Sequence, residues 1–187
     1  MNSLTKKLYS FACLLLAFFA TLTAAWAESR RDIYLLLGGR NMSGRGSVNA
    51  CNKMPTNRVQ KLTSSLTWID AVEPIHYDSS AAAGPAASFA AIMAAADPDA
   101  TICLVPCAVG SSLASSWAKG GANYSTALAR AQAAQIGGGT IKAILWCQGL
   151  SDADGSTKAA AYIDNVKSLA ENLRADLNLG DTVPFIV

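Results

Sequence analysis

Three short apolar runs, DIYLLL at 32–37, TICLVP at 101–106 and IKAILW at 141–146, limit what this 187-residue chain can fold into. None alternates polar with apolar residues throughout, so none suits a strand with one wet face. Continuous runs of this length suit strands covered on both faces, as in a parallel sheet between two layers of helices. The segments between them have helical spacing. Phe89, Ile92, Met93 and Ala96 follow Pro85, which is suited to a helix N-terminus. Ala127, Ala129, Ala131, Ala133 and Ala134 lie between Tyr124 and Gln135, and that helix runs into the stop Gly137-Gly138-Gly139. Tyr162, Val166, Leu169 and Leu173 form a third stripe in a helix reaching about Leu179, and VPFIV at 183–187 reads as a fourth strand. Strands alternating with helices predict a three-layer α/β/α sandwich with right-handed crossovers.

Each of the three runs is followed by a loop rich in glycine and polar residues: GGRNMSGRG at 38–46, then CAVGSS, then CQGLSD. In open α/β sheets ligands bind beyond the carboxyl ends of the strands, so these loops are expected to converge on one site.

The first 27 residues stand apart. Lys6 and Lys7 precede an apolar stretch from Leu8 to Leu22, and Ala25-Trp26-Ala27 forms a small-residue cleavage site. Thr21, Thr23 and that site favour a cleaved signal peptide over a membrane anchor, so the protein is expected to be secreted or otherwise exported. The Ala-rich stretch ending at Asp97 is broken by Gly84, Pro85 and Ser88 and is too short to span a bilayer. Residues 28–187 then form one domain. Losing Lys6 and Lys7 brings the 15 basic residues level with the 13 acidic ones, a balance that leaves no electrostatic footprint for nucleic acid. Cys13 leaves with the signal. Cys51, Cys103, Cys107 and Cys147 permit three pairings but match no metal spacing, and the last three lie in or beside apolar runs. They read as small buried hydrophobes, with no metal or cofactor expected.

Gly39 and Gly44 have the separation of a phosphate-binding loop, but Arg45-Gly46 stands where Lys and then Ser or Thr are required. The loop is also no Gly-x-Ser-x-Gly elbow. Four ordered blocks carry a different resemblance. The first is Gly38-Gly39-Arg40-Asn41-Met42-Ser43-Gly44-Arg45-Gly46, and the second is Trp68, Ala71, Glu73 and Pro74 followed by His76. The third is Val105-Pro106-Cys107-Ala108-Val109-Gly110-Ser111 with Trp117 downstream, and the fourth is Trp146-Cys147-Gln148-Gly149-Leu150-Ser151-Asp152. With these blocks the chain resembles the sialate O-acetylesterase and acetylxylan esterase group, carbohydrate esterase family six of the SGNH hydrolases, and especially its plant-type members.

The resemblance implies a flavodoxin-like parallel sheet and hydrolysis of acetyl esters on sugars, in which a serine attacks the acetyl carbonyl, a histidine relays the proton and N–H groups hold the oxyanion. It implies Gly110 and Gln148 as oxyanion donors, Asn41 as support, and Ser43, Ser111 and Asp152 as substrate-side residues. The departures are equally specific. Arg40 stands at the nucleophile position, and a guanidinium has no lone pair with which to attack. Gly39, Ser111 and Leu150 replace the family's Gln, Gly and Glu. The C-terminal Asp-x-x-His element has no counterpart in these residues, so the domain is expected to be C-terminally truncated, and His76, the only histidine, matches a non-catalytic position. Ser43 is a poor substitute nucleophile, because it needs a base in hydrogen-bond reach and, apart from His76, only carboxylates such as Asp152 are available nearby. The expectation is an inactive or strongly impaired carbohydrate O-acetylesterase homologue. The alternative is a binder of acidic carbohydrate that holds a carboxylate or sulfate on Arg40.

Overall fold

The structure is a computed structural model that describes residues 30–48 and 58–187. The segment expected to be a signal peptide and Cys51 lie outside the described residues. Six strands form one sheet: β1 (Arg30–Gly38), β2 (Val59–Leu62), β3 (Trp68–Asp70), β4 (Ala100–Pro106), β5 (Thr140–Cys147) and β6 (Phe185–Ile186). Their spatial order is β3-β2-β4-β1-β5-β6. All neighbours pair in parallel except β2 and β3. Leaving the β2–β3 hairpin aside, β1 lies between β4 and β5 with β6 outside, which follows the flavodoxin-like order.

The apolar runs became strands because both faces are covered. Ile33, Leu35 and Leu37 of β1 join one core cluster, whereas Tyr34 and Leu36 join a second on the opposite face. Burying each such side chain contributes about 1.5–3 kcal/mol, so a polar residue at any of these positions would be costly.

A single turn, α1 (Arg40–Ser43), follows β1, and three longer helices complete the layers: α2 (Pro85–Ala96), α3 (Ala122–Gln135) and α4 (Ser156–Asp176). Pro85 occupies the first turn of α2 as expected. The packing face of α2 differs from the expected stripe. Ala86, Ala90 and Ala94 are buried, Phe89 and Met93 flank them, and Ile92 is 68% exposed. Methyl side chains let the helix lie close to the sheet, which leaves the bulkier Ile92 outside. Ala127, Ala131 and Ala134 do the same for α3 on the other face, joined there by Val166, Leu169 and Leu173 of α4. Helix α4 stops at Asp176, short of Leu179, because Asn178 adopts a left-handed conformation, φ 52°, and Leu179 N–H turns back to Arg174 O at 2.8 Å.

The β2–β3 hairpin adds one antiparallel edge strand, β3, to the expected parallel sheet. It had no apolar run to announce it. In β2 the buried Lys61 donates its ammonium to Val72 O at 3.0 Å and Pro74 O at 2.7 Å, so a charged residue fills an inward position.

Candidate active site

The chain leaves β1 through two glycines that tie the three loops together. Gly38 has φ +132°, and a Cβ there would lie 2.3 Å from Cys147 O, so only glycine fits. Its carbonyl accepts from Val109 N–H at 2.9 Å and from Ser112 Oγ at 3.4 Å, while Gly39 N–H donates to Cys147 O at 3.0 Å. The first loop is thereby bonded to the second on one side and the third on the other. This is the crevice where the chain order reverses about β1. Arg40 opens the α1 turn there, and both it and Asn41 are exposed.

On one flank the side chains are wired together. Ser43, 1% exposed, donates to Asp78 Oδ2 at 2.8 Å and accepts from Arg45 Nη1 at 2.8 Å. Arg45 also donates to Gly44 O at 2.6 Å and to Asp78 Oδ2 at 3.2 Å. Burial pushes the Asp78 carboxyl up, but hydrogen bonds from Ser43, Ser80 N–H and Arg45 together hold it below its ordinary range. A cavity of about 270 Å³ opens beside this cluster, against Val109, Gly110 and Ser111. Asp78 is the residue that motif reading missed. Its signal was the stretch Asp78-Ser79-Ser80, in which Asp78 Oδ1 accepts Ser80 N–H at 2.8 Å as an Asx turn does.

On the other flank the charges face solvent. A cavity of about 440 Å³ is lined by Arg40, Ser111, Leu113, Leu150, Ser151, Asp154 and Lys158. Among the described residues Arg40 and Lys158 make no salt bridge. Leu150, at the position where the family carries an acid, is 58% exposed on this rim.

Behind both cavities the third loop is fastened to the second. Asp152, 3% exposed, accepts Ala114 N–H at 3.2 and 3.1 Å and the amide of Gln148. Gln148 Nε2 donates its other hydrogen to Ser112 O at 2.9 Å. Tyr162 of α4 donates to Gln148 O at 2.8 Å and accepts Trp146 Nε1–H at 2.9 Å, a loop-anchoring role its place in an apolar stripe did not disclose. His76 is buried, and its Nδ1 accepts Ala108 N–H at 3.3 Å while Nε2 is without a hydrogen-bond partner among the described residues. Burial pushes its pKa down to about 4, so it is neutral at ordinary pH.

These positions alter several expectations drawn from the sequence. Ser43 and Asp152 were expected to face substrate, but both turn inward, because each is needed by a neighbouring loop. Both amide hydrogens of Gln148 are engaged, leaving none for an oxyanion in this arrangement. Gly110 and Ser111 do border the cavities, and Arg40 and Asn41 lie across a cleft from Gln148, Leu150 and Ser151. Cys103, Cys107 and Cys147 are free thiols, the first two fully or nearly buried. Burial pushes both of those thiols up to about 11. The described residues hold no group of three or more His, Cys, Asp or Glu placed to bind a metal, and no helix long and apolar enough to cross a membrane.

Comparison with known proteins agrees with this architecture. Residues 30–187 match the family described as carbohydrate esterase, sialic acid-specific acetylesterase. A probable carbohydrate esterase of Arabidopsis thaliana is 35% identical over 175 residues, covering 83% of this chain and 67% of the relative. The X-ray structure of that Arabidopsis protein superimposes with a TM-score of 0.77 at 33% identity, over 82% of this chain and 72% of the other. The crystal structure of NanS shares the fold at 16% identity, with a TM-score of 0.72, over 84% of this chain and 66% of the other. On sequence and fold together, this chain belongs to the carbohydrate esterase, sialic acid-specific acetylesterase family.

Proposed function

We propose that this chain is a secreted carbohydrate O-acetylesterase homologue that retains a sugar-binding crevice while its ester hydrolysis is inactive or strongly impaired. The observation that carries this reading is the exposed Arg40 on the turn after β1, where the family pattern has its serine. An acyl transfer needs a nucleophile with a base in hydrogen-bond reach. Arg40 has no lone pair to offer. Ser43 is buried, and its hydroxyl is bonded to Asp78, whose depressed pKa makes it a poor proton acceptor. His76, the only histidine in the sequence, is buried and engaged with Ala108. In a serine protease, loss of the nucleophile costs about 10⁶ in kcat and leaves about 10³–10⁴ over water from oxyanion and binding contacts. The same scale sets the ceiling here.

The test is turnover of p-nitrophenyl acetate and of acetylated sugars by the purified chain and by Arg40→Ser. Both are expected to stay near the uncatalysed rate, because the restored hydroxyl has no histidine beside it. Robust turnover by either protein would overturn the proposal.

A second reading, binding of acidic saccharides, is favoured by the open positions of Arg40 and Lys158 on one cavity. Exposed cations are suited to a carboxylate or sulfate, which they bind through charge-assisted hydrogen bonds. Titration with sulfate and with uronic-acid oligosaccharides at two salt concentrations checks it. Binding should weaken with salt and disappear in Arg40→Ala, and absence of binding ends this reading.

A further inference from the structure

We infer that the cavity beside Arg45 and Asp78 is a second saccharide subsite, which takes one uncharged sugar ring through its vicinal hydroxyls. The inference rests on the carbohydrate-binding part of the proposed function and extends it to residues outside the Arg40 cavity.

Hydrogen-bond capacity carries the argument. Arg45 has five N–H donors. Nη1 is used by Ser43 and Gly44 O, and one Nη2 hydrogen by Asp78. The Nε hydrogen and the second Nη2 hydrogen have no partner among the described residues. Asp78 Oδ1 accepts only Ser80 N–H, which leaves acceptor capacity beside those donors. The side chains of Arg45 and Asp78 are 35% and 13% exposed, so the pair is reachable yet held. A sugar hydroxyl both donates and accepts, so adjacent hydroxyls can give one hydrogen to the carboxylate and take another from the guanidinium. Charged partners make such bonds about twice as strong as neutral ones.

Three features set the ligand class. The guanidinium and carboxylate cancel, so the pair offers a sulfate or phosphate no net attraction, unlike the Arg40 rim. The volume, about 270 Å³, lies just below the roughly 300–1,000 Å³ of pockets for drug-sized ligands and suits a single ring. Arg45 is already fixed by Ser43, Gly44 and Asp78, so little side-chain freedom is lost on binding. Gly110 keeps the mouth open, because a Cβ there would lie 2.6 Å from Asp78 Oδ2 and 3.0 Å from Arg45 Nη2. Ser111 lines both this cavity and the one beside Arg40, so a ring held here adjoins the sugar in the main crevice.

The experiment titrates the full chain with xylotetraose, cellotetraose and mannotetraose, following backbone amide shifts by NMR, with sodium sulfate titrated separately as the probe of Arg40. At least one tetrasaccharide should shift the amides of Ser79, Ser80, Gly110 and Ser111. Ser79→Trp, at an exposed rim position, should weaken that binding about tenfold or more. The thermal unfolding and sulfate response of Ser79→Trp should match the parent chain. No amide shift with any of the three sugars overturns the subsite, as does tetrasaccharide binding that Ser79→Trp spares. Sulfate binding that survives alongside either result leaves the anion reading of Arg40 standing, so the two failures are distinguishable.

Discussion

The two flanks of the crevice carry similar charges under opposite constraints. Around Arg45 every charged group has a partner: the guanidinium meets Ser43, Gly44 and Asp78, and Asp78 also accepts Ser80 N–H. Around Arg40 the charges of Arg40, Asp154 and Lys158 border a wider cavity with no salt bridge among the described residues. A paired flank keeps its geometry without a ligand. The unpaired flank has charge to offer but little to hold it in place. Substitutions that break the Arg45–Asp78 pairing should therefore be read first in stability, and those at Arg40 in binding.

The largest effect expected is one that removes both flanks together. Gly38→Ala sets a Cβ against Cys147 O in a backbone region that side chains rarely adopt. Strain and overpacking together should cost about 3 kcal/mol or more, measured by urea unfolding. An unchanged midpoint would mean that the loops are not hung from this residue.

Breaking the paired flank alone should cost less. Asp78→Ala leaves Ser43 and Arg45 without their shared acceptor and should destabilise by about 2 kcal/mol. A loss below about 0.5 kcal/mol would put the two flanks on the same footing.

A pH titration reaches the buried histidine that is bonded to the second loop at Ala108 N–H. His76 has a folded pKa near 4 against an ordinary value of 6.5, so between those values the unfolded chain binds more protons than the folded one. Stability therefore falls as pH drops through this window. The loss between pH 7.5 and 5 should be about 2 kcal/mol from this residue. His76→Asn should flatten that part of the profile, and an unaltered slope would assign it to other groups.

The smallest stability effect should be on the unpaired flank, where Arg40→Ser is expected to move stability by no more than about 0.5 kcal/mol. A larger loss would reveal that Arg40 holds the loop and would erase the contrast.

Much of the frame was legible in the sequence, and the reasons are local. A residue buried in a covered strand must be apolar whatever lies beyond it, so DIYLLL, TICLVP and IKAILW announced β1, β4 and β5. Pro85 and the triple glycine at 137–139 marked helix ends through their own backbone chemistry. The β2–β3 hairpin was not legible, because Lys61 fills an inward position through bonds to carbonyls in another segment. Ile92 looked like a core residue by spacing, yet α2 packs through its alanines.

The site divides along the same line. That three glycine-bearing loops follow the central strands and that Arg40 stands on the first are properties of the sequence. Which groups those loops employ was decided by tertiary structure. Ser43 finds Asp78 across 35 positions and Ala114 finds Asp152 across 38. Neither pairing leaves a periodic trace, because a hydrogen bond depends on how packed elements bring two distant backbones together. Periodicity reports only whether a side chain is covered, and the fold chooses its partner.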